Sequence, residues 1–156
     1  MKLIVRAGGT VREGPEREML DDYHARASRL SRGLGFISFE EQPVDLTKCR
    51  SRSAETAKLL DGVPSDASVF VLDERGKALR SRDFAKLLAD YRDEGRPSAV
   101  FVIGGADGFD PAGLPQQCRK ISFGPQTWPH KLVRVMLFEQ IYRALSILAG
   151  TPYHRD

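Results

Sequence analysis

The sequence predicts an α/β domain built on a mainly parallel sheet, and three observations carry that expectation. Apolar runs such as Val69-Phe70-Val71-Leu72 and Ala99-Val100-Phe101-Val102-Ile103 are too uniform for strands with one wet face. Strands buried on both faces belong to parallel sheets covered by helices. Between these runs lie segments whose apolar residues recur every three or four positions, so strands and helices alternate. Several runs also end in glycine-containing turns, at Gly8-Gly9, Gly104-Gly105 and Gly124-Pro125, as expected at βα junctions.

The elements follow in order. Lys2 to Ala7 reads as a first strand. Pro15 opens a helix with acidic residues at its positive end, and Met19, Leu20, Tyr23, Ala27 and Leu30 mark its buried face. Gly33 to Gly35 ends it. Phe36 to Glu41 is a second strand, placed at an edge because it turns polar and meets Pro43. Asp45 to Arg52, with Lys48, Arg50 and Arg52, reads as a mobile basic segment, and a helix follows from Ser53 to Leu60. Ser68 to Asp73 is the third strand, with Glu74 to Lys77 as its exit turn. Ser81 is expected to cap a helix carrying Phe84, Leu87, Leu88 and Tyr91. Ala99 to Ile103 is the fourth strand, a loop or short helix spans Asp110 to Cys118, and Lys120 to Phe123 is the fifth strand. A last helix runs from Pro129 to Ala149, with Gly150 and Pro152 ending it. It is apolar nearly all round, so it must be covered on more than one side, and a second copy of the chain would supply such a cover.

The 156 residues, 41% hydrophobic and 29% charged, suit one domain spanning 1–156. No apolar run reaches the ~18 residues of a membrane span, and no secretory leader is seen. Cys49 and Cys118 stand alone, which speaks for neither a metal site nor a disulfide framework and fits a reducing, cytoplasmic setting. A net charge of +3 is compatible with a polyanionic partner but does not select one.

Ligands of open α/β sheets sit outside the carboxyl ends of the strands. Three loops fall there: Leu72-Asp73-Glu74, Gly104 to Gly108, and Phe123 to Trp128. None matches a dinucleotide or P-loop fingerprint, and no metalloprotease or nucleophile-elbow motif is present. Glu139 and Arg143 have the spacing of a helix-surface ion pair. His130 and Arg134, one turn apart, could address one anion together, and the chain ends in an aromatic, a titratable ring and a cation at Tyr153-His154-Arg155.

Taken together, Leu72-Asp73-Glu74-x-Gly76-Lys77, Val102-Ile103-Gly104-Gly105-x-x-Gly108, Thr127-Trp128-Pro129-His130, Glu139-Gln140-x-Tyr142-Arg143 and Pro152-Tyr153-His154-Arg155 resemble one family. It is the ribosomal RNA large-subunit methyltransferase H family of the SPOUT superfamily, and the resemblance spans Met1 to Arg155. It implies a C-terminal trefoil knot, a homodimer, and S-adenosylmethionine bound in the knot loops. It also implies methylation of a pseudouridine at N3 in 23S rRNA, on assembled 70S ribosomes. Carried over by motif, the cofactor contacts are Leu72, Gly104, Phe123, Gly124, Pro125, Gln126, Thr127 and Trp128. Gly124-Pro125-Gln126 and the turn at Arg6 to Thr10 depart from the usual pattern.

On that reading Arg134 or Arg155 stabilises the N3 anion, and His154 or His130 positions a base or accepts the proton. Tyr153 stacks on a splayed base, and Arg75 and Lys77 contact phosphates. The alternatives are a methyltransferase of the same superfamily acting on another RNA, or a non-catalytic ribosome-binding module. No metal, membrane or DNA is expected.

Overall fold

The computed structural model describes residues 1–155; Asp156, the last residue of the expected domain, lies outside them. Five strands form one parallel sheet: β1 (Lys2–Gly8), β2 (Ser38–Val44), β3 (Ser68–Ala78), β4 (Ser98–Ile103) and β5 (Arg119–Ser122). Their order is β2-β1-β4-β3-β5. The helices are α1 (Pro15–Ser31), α2 (Arg52–Leu60), α3 (Ser81–Asp93) and α4 (His130–Leu148). The expected parallel α/β architecture is observed.

The apolar strands are explained by two cores, one on each face of the sheet. From β4, Ala99, Phe101 and Ile103 enter a core completed by Leu20 of α1, Phe84 and Leu88 of α3, and Phe138 and Ile141 of α4. Val100 and Val102 enter the opposite core, with Leu59 of α2 and Phe109. Every residue of β4 is therefore buried, and each large side chain so placed contributes about 1.5–3 kcal/mol.

Five local expectations are revised. The third strand does not stop at Asp73: Leu72 pairs with Ile121, and after a bulge Lys77 pairs with that same residue. Glu74 to Lys77 is thus an irregularity within β3 rather than an exit turn. Gly76 is required there, because a β-carbon would stand 2.6 Å from the Ile121 carbonyl carbon. Ser81 does not cap α3. Arg80 holds the cap position without a side-chain bond, and the Ser81 hydroxyl donates to Gln140 Oε1 of α4 at 2.9 Å. The second strand lies later than expected, at Ser38–Val44, though it is an edge pairing only with β1. Met19 is 45% exposed rather than buried. The basic segment takes a defined turn, in which Asp45 accepts from the Thr47 amide and hydroxyl, and Ser51 caps α2 through the Ala54 amide.

α4 packs between α1 and α3 on one face of the sheet. Much of its all-round apolar character is therefore satisfied within one chain. The strip carrying Leu132, which is 37% exposed, and Met136 stays uncovered. Among the described residues no helix is long and apolar enough to cross a membrane.

Candidate active site

Beyond the carboxyl ends of β3, β4 and β5 lies a cavity of about 360 Å³. Leu72 and Asp73 enter it from β3, Gly104 to Phe109 from the loop after β4, and Phe123, Gly124, Gln126, Thr127 and Trp128 from the segment after β5. The three loops expected to hold a ligand thus form one site, as strand ends in a parallel sheet must when the strands are neighbours. Of the eight residues carried over as cofactor contacts, seven line the cavity and Pro125 does not. His130 and Arg75 also line it, whereas Lys77 does not.

Ser122 organises the wall after β5. Its hydroxyl accepts from the Gly124 amide at 3.0 Å and lies 2.8 Å from the Gly124 carbonyl and 3.3 Å from the Glu74 carbonyl. One hydroxyl proton serves those two carbonyls in turn. The turn so made gives Gly124 a φ of 109°, a conformation open to glycine and strained for other residues.

Asp73 stands at the floor. Its carboxylate accepts from the Arg75 amide at 2.9 Å and from Lys120 Nζ at 3.2 Å. Burial works to raise its pKa, but the bonds and the Lys120 charge prevail and hold it below the usual carboxylate range. The cavity therefore combines a fixed negative charge at its floor with the exposed guanidiniums of Arg52 and Arg75 at its mouth.

The other expected site residues are placed elsewhere. Arg134 is only 2% exposed. Its guanidinium donates to the carbonyls of Gly8 at 2.8 Å and Gly9 at 3.1 Å, and to Glu41 at 3.2 Å. It does not line the cavity, so the joint His130–Arg134 anion site is not formed. The tail folds onto the C-terminal half of α4. Tyr153 donates to Glu139 at 3.0 Å, and its ring centre lies 4.5 Å from that of Tyr142 with the planes tilted by 54°, the Arg143 guanidinium standing 4.7 Å from its ring centre. Burial, with the bonds to Tyr23 and Glu139, pushes its phenol well above the usual range. Arg143 Nη1 lies 3.3 Å from His154 Nδ1. A guanidinium can only donate, so Nδ1 is the acceptor in this contact. Neither His154 nor Arg155 lines this chain's cavity.

The sequence matches the family described as "Predicted SPOUT methyltransferase" over residues 1–154. The chain belongs to the SPOUT methyltransferase family. Similar relatives in this family are proteins named "Ribosomal RNA large subunit methyltransferase H". The one from Maricaulis maris is 52% identical over 100% of both chains. Those from Hyphomonas neptunium and Ruegeria pomeroyi are 46% and 48% identical over 99% of each chain. Within this SPOUT chain, sequence reasoning gave no individual role to Asp73 or Ser122, and Arg52 was only one of the basic surface residues. An Asp two residues before a bonded amide and a Ser two residues before a glycine are local signals of side-chain turns, and they would have pointed to the first two.

Proposed function

We propose that this chain transfers a methyl group from S-adenosylmethionine to N3 of a pseudouridine in 23S rRNA, as a knotted cytoplasmic homodimer acting on the assembled 70S ribosome. The observation that carries the reading is the convergence of Leu72, Gly104 and the Phe123–Trp128 segment on one strand-end cavity. The relatives' name, matched over their full length, supports large-subunit ribosomal RNA as the substrate. The donor set fits the cofactor. Leu72, Ile103 and Val133 offer apolar surface to a flat base, Asp73 and Glu74 face cationic groups, and Arg52 and Arg75 suit a carboxylate.

Bound S-adenosylmethionine supplies an electrophilic methyl group on a sulfonium. The protein's part is placement and electrostatics. The target nitrogen must lose its proton, and His130 on the cavity wall is placed to hold or accept it. Tyr153, His154 and Arg155 serve the cavity of the partner protomer, where Arg155 favours the nitrogen anion and Tyr153 stacks on the base. In support, the tail's anchors Glu139 and Arg143 line a groove that shares Ser122, Phe123 and Gly124 with the cavity. A protomer seated in that groove brings its tail close to the neighbouring site. The knot belongs to the same reading and rests on the family resemblance alone.

The test is transfer of labelled methyl to 70S ribosomes lacking the modification, with free 23S rRNA and 50S subunits in parallel. Label on 70S particles, mapped to N3 of one pseudouridine, is the expected result. Label on another RNA would favour a different substrate within the same superfamily. No label and no cofactor binding would favour a ribosome-binding module.

A further inference from the structure

The cavity wall contributed by the Gly104–Phe109 loop is held at one end by β4. Its other end is fixed from the opposite side of the sheet, by α2. Thr56 of α2 is fully buried, and its hydroxyl accepts the Asp110 amide at 2.9 Å. The Thr56 methyl closes over the next turn, since a β-carbon added at Gly113 would stand 3.1 Å from Thr56 Cγ2. On the preceding residue, the Glu55 carboxylate lies against Gly105, where a β-carbon would have to displace it. At the start of the same helix, Arg52 lines the cavity mouth. Between its two anchors the loop has one internal backbone bond, from the Gly108 amide to the Gly105 carbonyl at 3.0 Å.

The geometry points to Thr56 as a positioning residue for cofactor binding, acting through the Asp110 amide to hold the Gly104–Phe109 wall in its binding conformation. The inference rests on the reading of this cavity as the S-adenosylmethionine site. Its physical basis is the cost of leaving a partly buried amide without its acceptor. Without the Thr56 hydroxyl, the Asp110 N–H is satisfied only when the loop end moves out to water. The wall is then in place for a fraction of the time, and apparent affinity falls by that fraction. The bond is made across 54 residues of sequence, so neither the glycine pattern nor the helix period announces it.

The experiment compares the wild type with Thr56→Val, which keeps the shape and removes the acceptor, and Thr56→Ser, which keeps the hydroxyl and removes the methyl. S-adenosylmethionine affinity is measured by calorimetry and folding by thermal denaturation. Thr56→Val is expected to weaken binding by roughly 5- to 10-fold, the lower end of the range for an amide left without its acceptor, because this amide is only partly buried. Thr56→Ser is expected to stay within about threefold of wild type, because the bond survives. Wild-type affinity in a folded Thr56→Val overturns the inference, as does Thr56→Ser binding as weakly as Thr56→Val. Should Thr56→Val not fold, the bond is read in the wild type by hydrogen exchange at the Asp110 amide. Protection that rises with saturating cofactor supports the coupling, and protection that does not change overturns it. A wild type that binds no S-adenosylmethionine overturns instead the reading of the cavity on which the inference stands.

Discussion

Asp73 shows how one side chain at a strand end carries both fold and site. Its carboxylate joins the Arg75 amide within the β3 irregularity to Lys120 of β5, so it ties together the strands that frame the cavity. With its folded pKa below the ordinary value of 3.8, the bound form is the ionised one. The stabilisation is therefore complete above the unfolded pKa and is lost as pH falls through the lower folded value. Asp73→Asn keeps an acceptor for the amide and loses the charge for Lys120, so it should cost about 0.5–1 kcal/mol at neutral pH, as a half-screened pair does. In a chain of this length that is a fall in Tm of about 1–4 °C. Denaturation curves from pH 7 down to pH 3 should show the gap between wild type and variant constant above about pH 5 and closing below pH 4. A gap of the same size at the acid end would mean that Asp73 is not held in its charged form.

At the scale of the elements, α4 is fixed to the sheet by a buried cation. Arg134 reaches the end of β1 at Gly8 and Gly9 and meets Glu41 of β2, which also pairs with Arg17 of α1 at 2.8 Å. Burial works to lower the Arg134 pKa against the favourable pull of Glu41, and the carbonyls and carboxylate share the cost of keeping the charge inside. Arg134→Met should destabilise by about 3–5 kcal/mol, because it leaves Glu41 with a diminished partner and two carbonyls without donors. Arg134→Lys should recover little, since one ammonium cannot reproduce the guanidinium fork. At a temperature where the variant is folded, its cofactor affinity should match the wild type by calorimetry. Lost methyl transfer with an unchanged Tm would instead return Arg134 to the chemistry. The periodicity of α4 was enough to place its apolar faces, and burial on both sides wrote β1, β3 and β4 plainly as apolar runs. What lies across from a polar residue on those elements was not written anywhere nearby. Arg134 and Ser81 therefore looked like an anion site and a cap, whereas one clamps carbonyls 125 residues away and the other donates to Gln140. The polar end of β3 read as a turn for the same reason: its partner, Ile121, is distant in sequence. The cavity loops were legible because glycines at strand ends mark where backbone approaches a ligand. Their anchors Ser122 and Thr56 were not, because each is an ordinary residue made important by contact.

For the whole molecule, the question is what covers the strip that α1 and α3 leave open along α4. The groove there has a volume of about 710 Å³ and is lined by Met19, Leu79, Leu132 and Met136, with Met19 and Leu132 substantially exposed. Its floor continues into the cavity through Phe123 and Gly124. In the homodimer proposed above, a second copy covers the strip and offers its own Tyr153-His154-Arg155 to the neighbouring cavity, and a stable pair needs about 800 Å² covered on each protomer. Leu132→Asp sets a charge in the middle of that surface, where burial without a partner costs several kcal/mol. The variant should sediment as a monomer at micromolar concentration and keep its Tm within a few degrees, since Leu132 lies outside both cores. Its S-adenosylmethionine affinity should stay within about threefold of wild type, a difference under about 1 kcal/mol. Methyl transfer should fall by about 100-fold or more, the loss expected when groups that act only in the transition state are withdrawn. A monomeric Leu132→Asp that transfers methyl at the wild-type rate would remove the partner's tail from the site and leave His130 as the only titratable ring beside the reacting nitrogen.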